Sequence, residues 1–142
     1  MGEKLGRSSP AVLRLRMPCD LRHARGIARA AHEFLANEGC NEREVAECEL
    51  ALVEACNNAI VHAGKNEKPI LVEVMCAKEE IEMRVMDQTQ GFKWPQKAGL
   101  PEADSSHGRG VFLMQSLMDY SNYFRSECGN ILVLRKKRKD GV

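Results

Sequence analysis

Glu54, Asn58 and His62 stand four residues apart in the run E-A-C-N-N-A-I-V-H-A, and residues four apart share a helix face. A carboxylate, an amide and an imidazole would form one polar stripe there. The intervening Ala55, Cys56, Ala59 and Ile60 are small or apolar, unlike a solvated turn. By itself the stripe reads either as a site or as a polar outer face. Asp87 falls where an alternating apolar stretch ends, with Gly91 four residues on in D-Q-T-Q-G-F. Such a carboxylate can accept from an exocyclic amine like that of adenine, and the glycine lets backbone approach a ligand. An ordinary Asp/Gly turn accounts for the same residues. The third group is His107-Gly108-Arg109-Gly110-Val111-Phe112, which leads into a helical pattern. Glycine N–H groups at a helix N-terminus make an anion or phosphate cradle, and Arg109 can add a charge-assisted bond. The alternative is a glycine-rich hinge. Neither a G-x-x-x-x-G-K-[ST] loop nor the third glycine of G-x-G-x-x-G is present.

The elements that must position these groups follow from hydrophobic period. Leu13, Leu15 and Met17 alternate with Arg14 and Arg16, a half-buried strand over 11–17. Asp20 offers an N-cap to a helix with Leu21, Ala24, Ile27, Ala28, Ala31 and Leu35 on one stripe, stopped at Gly39. Asn41 and Glu44 approximate a capping box for a second helix running to about Ala63. Residues 70–76 and 81–86 alternate as a hairpin, with Asp87 at its end. Residues 88–107 carry Gly91, Pro95, Gly99 and Pro101 without a sustained period, which predicts a functional lid. A short helix with Val111, Met114 and Met118 follows, then strands over 120–126 and 130–138 with a turn near Gly129-Asn130. The order β-α-α-β-β-lid-α-β-β predicts an α+β two-layer sandwich, its sheet mixed or mainly antiparallel with helices on one face.

Composition narrows the function. The 142 residues fit one domain spanning 1–142, with about 1–10 as a flexible N-terminus and about 136–142 as a basic tail. With 21 basic against 20 acidic side chains the net charge is +1, which argues against a dedicated nucleic-acid binder. Hydrophobic residues at 44% argue against disorder. The length excludes a two-lobed protein kinase. The six cysteines form no C-x-x-C pair, and Cys48 and Cys56 lie about 12 Å apart along one helix, too far to bridge. All are expected to be reduced thiols. The seven methionines read as core fillers. The run Arg135–Lys139 reads as a solvated terminus. A polar N-terminus without a signal-peptide core, Gly6 where myristoylation needs Ser or Thr, and no ~20-residue apolar run predict a soluble, cytoplasmic protein without membrane contact.

In their order, E-A-C-N-N-A-I-V-H-A, D-Q-T-Q-G-F and G-R-G-V-F-L-M-Q-S-L-M-D resemble the N, G1 and G2 boxes of the GHKL ATPase superfamily. The last run looks most like the bacterial anti-sigma factor serine kinases, and the resemblance covers nearly the whole chain. It implies a histidine kinase-like (Bergerat) ATPase fold that binds ATP with Mg²⁺. Glu54 then matches the general base, Asn58 the Mg²⁺ ligand and His62 a pocket-lining position. Asp87 matches the adenine-reading acid and Gly91 the close-approach glycine. Gly108, Arg109, Gly110 and Val111 match the lid-to-helix segment around the phosphates. Two positions depart from the family pattern: Thr89 replaces the first glycine of D-x-G-x-G, and Asn130 replaces a threonine near the last hairpin. The resemblance further implies phosphorylation of an anti-sigma factor antagonist, sequestration of an alternative sigma factor, and a homodimer with no direct nucleic-acid partner. The alternative is a non-catalytic ATP-binding switch or kinase activator.

Overall fold

The computed structural model describes residues 9–63, 68–88, 94, 108–126 and 129–139. Five strands form one sheet: β1 (Ala11–Met17), β2 (Ile70–Cys76), β3 (Glu80–Asp87), β4 (Tyr120–Ser126) and β5 (Gly129–Lys137), in the order β1-β2-β3-β5-β4. Every neighbouring pair is antiparallel, so the expected mixed or mainly antiparallel sheet is wholly antiparallel among the described strands. The connections explain this. Two helices, α1 (Ala24–Asn37) and α2 (Glu42–Ala63), separate β1 from β2, and a short turn makes such helices antiparallel neighbours. The chain therefore enters β2 against β1. A single helix, α3 (Gly108–Leu117), separates β3 from β4, so β4 runs in the direction of β3. The gap between those two strands admits β5, antiparallel to both.

Local chemistry sets the helix boundaries. Asp20 does cap, its carboxylate accepting from the Arg22 N–H at 2.9 Å, but what it caps is a 3₁₀ turn, Leu21–His23. The different winding takes Leu21 off the buried stripe and leaves it 57% exposed, contrary to the sequence expectation. Ala24, Ala28, Ala31 and Leu35 are buried as their spacing predicts. The capping box at α2 closes in both directions: Glu44 N–H donates to Asn41 Oδ1 at 2.8 Å, and Asn41 N–H to Glu44 Oε1 at 3.0 Å.

The core lies between the helices and one face of the sheet. Met17, Ile70, Val72, Val74, Ile81, Met83, Val85, Leu132 and Leu134 meet Leu35, Val45, Cys48, Leu52, Cys56 and Met114. Each such side chain contributes roughly 1.5–3 kcal/mol by leaving water. Among the described residues the opposite face carries no helix. There Arg16, Leu71, Met86, Ile131 and Phe124 are successive cross-strand partners, and Leu71 and Phe124 are 44% and 48% exposed.

The basic run near the C-terminus corrects the sequence reading, because β5 extends through Lys137 and pleating turns alternate residues inward. Lys136 is buried, with Nζ 2.8 Å from Glu47 Oε1 and bonded to the Leu117 carbonyl. Arg138 donates to the carbonyl of Ala77, and the Lys139 N–H to Glu44 Oε2. The hydrogen bond from Lys136, joined by Arg43 and opposed by burial, holds the Glu47 carboxyl below the usual carboxylate range. A lowered folded-state pKa stabilises the fold above the unfolded carboxylate range, and the benefit is lost as pH falls through the lowered value. Lys136→Met is therefore expected to cost about 1–2 kcal/mol at neutral pH, discounted because Glu47 is partly solvated. It should also flatten the acid side of the stability profile, as read by urea unfolding at a series of pH values.

Candidate functional site

Gly110 brings two of the expected residues together. It sits in the first turn of α3, where an added Cβ would lie 2.9 Å from Glu54 Oε2 and 3.5 Å from both amide atoms of Asn58. A side chain at this position would have to push the tip of Glu54 aside. Glu54 and Asn58 are both half-buried, and Asn58 Nδ2 is buried with no hydrogen-bond partner among the described residues. Gly108, Arg109 and Gly110 all lie inside α3, whereas the sequence suggested a loop leading into the helix. The first four N–H groups of a helix lack intrahelical acceptors and carry its partial positive charge. Here those groups belong to Gly108, Arg109, Gly110 and Val111. Arg109 is exposed and Val111 buried. His62 is half-buried in the last turn of α2, about 12 Å along the axis from Glu54.

The second part of the site lies where β3 and β5 meet. Asp87 and Asn130 are cross-strand partners and both are buried. Asn130 Nδ2 donates to Asp87 Oδ1 at 2.9 Å, which fixes the carboxylate. Gly129 makes the pairing possible. Its φ is +135°, and a Cβ there would lie 2.5 Å from the Asp87 carbonyl oxygen. Asp87 shares the inward pleat of Ile81, Met83 and Val85, so its side chain lies on the helix side of the sheet. Cys19 connects it to α2: its thiol is 4.0 Å from the Ile60 carbonyl, and burial, then the charge of Asp87, push that thiol up. A cleft of about 240 Å³ bordered by Pro69, Leu71, Met86 and Ile131 also touches Asp87. Those apolar residues lie on the helix-free face, so the cleft is behind the carboxylate rather than in front of it.

Thr89, Gly91 and His107 lie outside the described residues, as do residues 1–8 of the expected flexible N-terminus. Within the expected lid, 88–107, only Gln88 and Trp94 are described. Trp94 stacks on Tyr123 with ring centroids 6.2 Å apart. The sequence reading missed Gly129 as the support of Asp87. Its signal was the Gly-Asn pair itself, read as a turn and, for Asn130 alone, as a nucleotide-binding position.

The described residues contain no group of three or more His, Cys, Asp or Glu side chains able to hold a metal. A Mg²⁺ ion needs less from the protein, because phosphates and water supply most of its octahedron. The side-chain amide oxygen of Asn58, beside the Glu54 carboxylate and under Gly110, is an oxygen donor that fits that limited demand.

A carboxylate and an amide thus lie under a helix N-terminus, and a buried acid lies at the sheet end, in an α+β fold of one antiparallel sheet with helices on one face. Residues 17–136 match the family described as histidine kinase-like ATPase domain. The chain belongs to that family. It is 23% identical to the serine-protein kinase RsbW of Staphylococcus epidermidis over 154 aligned positions, covering 95% of this chain and 92% of the relative. RsbW of Bacillus subtilis is 30% identical over 106 positions, 66% of each chain. The fold is similar to a crystal structure of the RsbU and RsbW domains of Rv1364c from Mycobacterium tuberculosis, with a TM-score of 0.67 and 16% identity. That match covers 90% of this chain and 32% of the other.

Glycine substitutions separate the packing role of Gly110 from helix propensity. Gly26, in α1, has nothing within 4 Å of an added Cβ, so Gly26→Ala should stabilise by about 0.5–1 kcal/mol. Gly110→Ala must turn the tip of Glu54 aside, so it should stabilise less than Gly26→Ala. Chemical denaturation of the two variants side by side checks that difference.

Proposed function

We propose that this chain binds Mg²⁺-ATP and transfers the γ-phosphoryl group to a serine or threonine of an anti-sigma factor antagonist protein. In the same reading it holds an alternative sigma factor in the cytoplasm until the unphosphorylated antagonist displaces it. The observation that carries the reading is the joint position of Glu54 and Asn58 beneath Gly110, in a chain related to serine-protein kinases.

Each residue has a role in that reaction. Asp87, fixed by Asn130, accepts from the adenine amino group, with Gly91 giving the base close access. His62 lines the pocket. The first-turn N–H groups of α3 and the Arg109 guanidinium face the phosphates. Glu54 takes the proton of the attacking hydroxyl as its oxygen bonds to the γ-phosphorus and the bond to ADP breaks. Asn58 offers its amide oxygen to Mg²⁺, which when bound neutralises phosphate charge. Catalysis by this class of transfer rests on positioning and charge stabilisation.

With γ-labelled ATP, Mg²⁺ and an antagonist protein from the same genome, wild type should label the antagonist. Glu54→Ala should lose at least about 100-fold of that rate while still binding ATP. Wild type that binds ATP yet labels no antagonist would replace the kinase reading with a nucleotide-binding switch, which Thr89 in the second motif favours.

The homodimer implied by the resemblance has a surface available in the apolar row Leu71, Met86, Ile131 and Phe124 on the helix-free face. Light scattering should give twice the chain mass, and Leu71→Asp combined with Phe124→Asp should give monomers that still bind nucleotide.

A further inference from the structure

Cys40, in the turn between α1 and α2, and Cys76, the last residue of β2, are 36 positions apart in sequence, and their sulfurs meet at 3.6 Å. Arg138 completes the cluster. Its Nη1 lies 3.4 Å from Cys76 Sγ and donates to the Ala77 carbonyl at 2.7 Å, while Nη2 reaches the Glu38 carbonyl at 3.4 Å. Cys76 pairs across the sheet with Ala11 and Ile81, at the end opposite Asp87. The proposed phosphoryl transfer uses none of these groups.

We propose that Cys40 and Cys76 are a modification site: a dithiol that a peroxide oxidises to a reversible disulfide, clasping the α1–α2 turn to the end of β2. A disulfide needs the sulfurs at about 2.05 Å, so they must close by somewhat more than an ångström. Cys40 sits in a turn and is half-exposed, which gives both the freedom to move and a path for a small oxidant. The Cys76 thiolate attacks one peroxide oxygen and the O–O bond breaks. The departing hydroxide takes up a proton as water, and Cys76 becomes a sulfenic acid. The Cys40 sulfur then attacks that sulfur, the S–O bond breaks, and a second water leaves with the Cys40 proton. Two thiols have given two electrons to one peroxide.

The surroundings select this pair. The hydrogen bond from Cys40 pulls the Cys76 thiol below its ordinary value against the cost of burial, and Arg138 adds to the effect. Burial pushes Cys48 and Cys56 up to about 12, and burial with two nearby carboxylates raises Cys19. The thiolate is the reactive form, so these three stay inert while Cys76 reacts.

The test treats the reduced full-length chain with one equivalent of hydrogen peroxide, quenches it with an alkylating agent and maps the peptides. The expected product has lost the mass of two hydrogen atoms, carries Cys40 linked to Cys76, and reverts with dithiothreitol. Closing this loop should raise the melting temperature by about 5 °C or more. ATP affinity should not change, since the clasp lies at the far end of the sheet. In Cys40→Ser the disulfide should disappear and a dimedone probe should label Cys76. Linkage of Cys76 to another cysteine, such as Cys128, would overturn the proposal. So would a wild-type chain that keeps both thiols under peroxide, or oxidised Cys40→Ser with the same rise in melting temperature. Should Cys40→Ser fail to fold, the wild-type peptide map decides.

Discussion

Gly110 lies where an added Cβ would come 2.9 Å from Glu54 Oε2 and 3.5 Å from the Asn58 amide, and that close approach ties the first turn of α3 to α2. A carboxylate at a helix N-terminus is favoured by the helix dipole, by about 0.3–1 kcal/mol where solvent reaches it. Glu54 therefore helps to hold the first turn of α3, and that turn holds Glu54 in place. In the proposed reaction the phosphates must use the same positive end without occupying the same volume. Gly110 thus separates base and phosphate as well as bringing them near, and any larger residue would alter both distances at once.

That approach depends on topology. Because two helices intervene between β1 and β2, α2 lies across the sheet with its C-terminal half over the end of β3 that carries Asp87. Because one helix intervenes between β3 and β4, a slot opens that β5 fills, and β5 brings Asn130 opposite Asp87. The acid and its amide partner are separated by 43 positions in sequence. Gly129 is the point at which this crossing would fail, since the Asp87 carbonyl occupies the space of a Cβ. The two glycines differ in strictness: at Gly129 the Asp87 backbone and a positive φ exclude any side chain, while at Gly110 it is the movable tip of Glu54 that fills the space.

Much of this was legible from the sequence because local signals and tertiary demands agree. The alternation of β2 and β3, the alanine stripe of α1 and the reciprocal Asn41–Glu44 cap all appear as their spacing predicts. The candidate stripe on α2 was visible, but spacing alone left it open between a site and a surface. What separates those readings is Gly110, more than 50 positions away. Non-local contacts of that kind leave no periodic trace. The same limit explains Leu21, whose place on the stripe assumed an α-helix where Asp20 caps a tighter 3₁₀ turn. It also explains Lys136, where a charge run was weighed by composition although strand pleating turns that one residue inward to Glu47 and the Leu117 carbonyl.

The two ends of the sheet are held to different degrees. At the end away from Asp87, Glu44 caps α2 with one oxygen and binds the Lys139 N–H with the other. Arg138 there spans the carbonyls of Glu38 and Ala77 and the thiol of Cys76. At the Asp87 end the Asn58 side-chain NH₂ is buried without a partner among the described residues. An unmet donor costs about 1–3 kcal/mol, which an acceptor of the proposed ligand would offset. Local stability need not be uniform within one domain. The dense polar ties at one end allow the other to stay incompletely satisfied without loosening the fold. A disulfide between Cys40 and Cys76 would deepen that asymmetry. It would strengthen the end already fixed and leave Asn58, Glu54 and Gly110 the freedom that the proposed transfer requires.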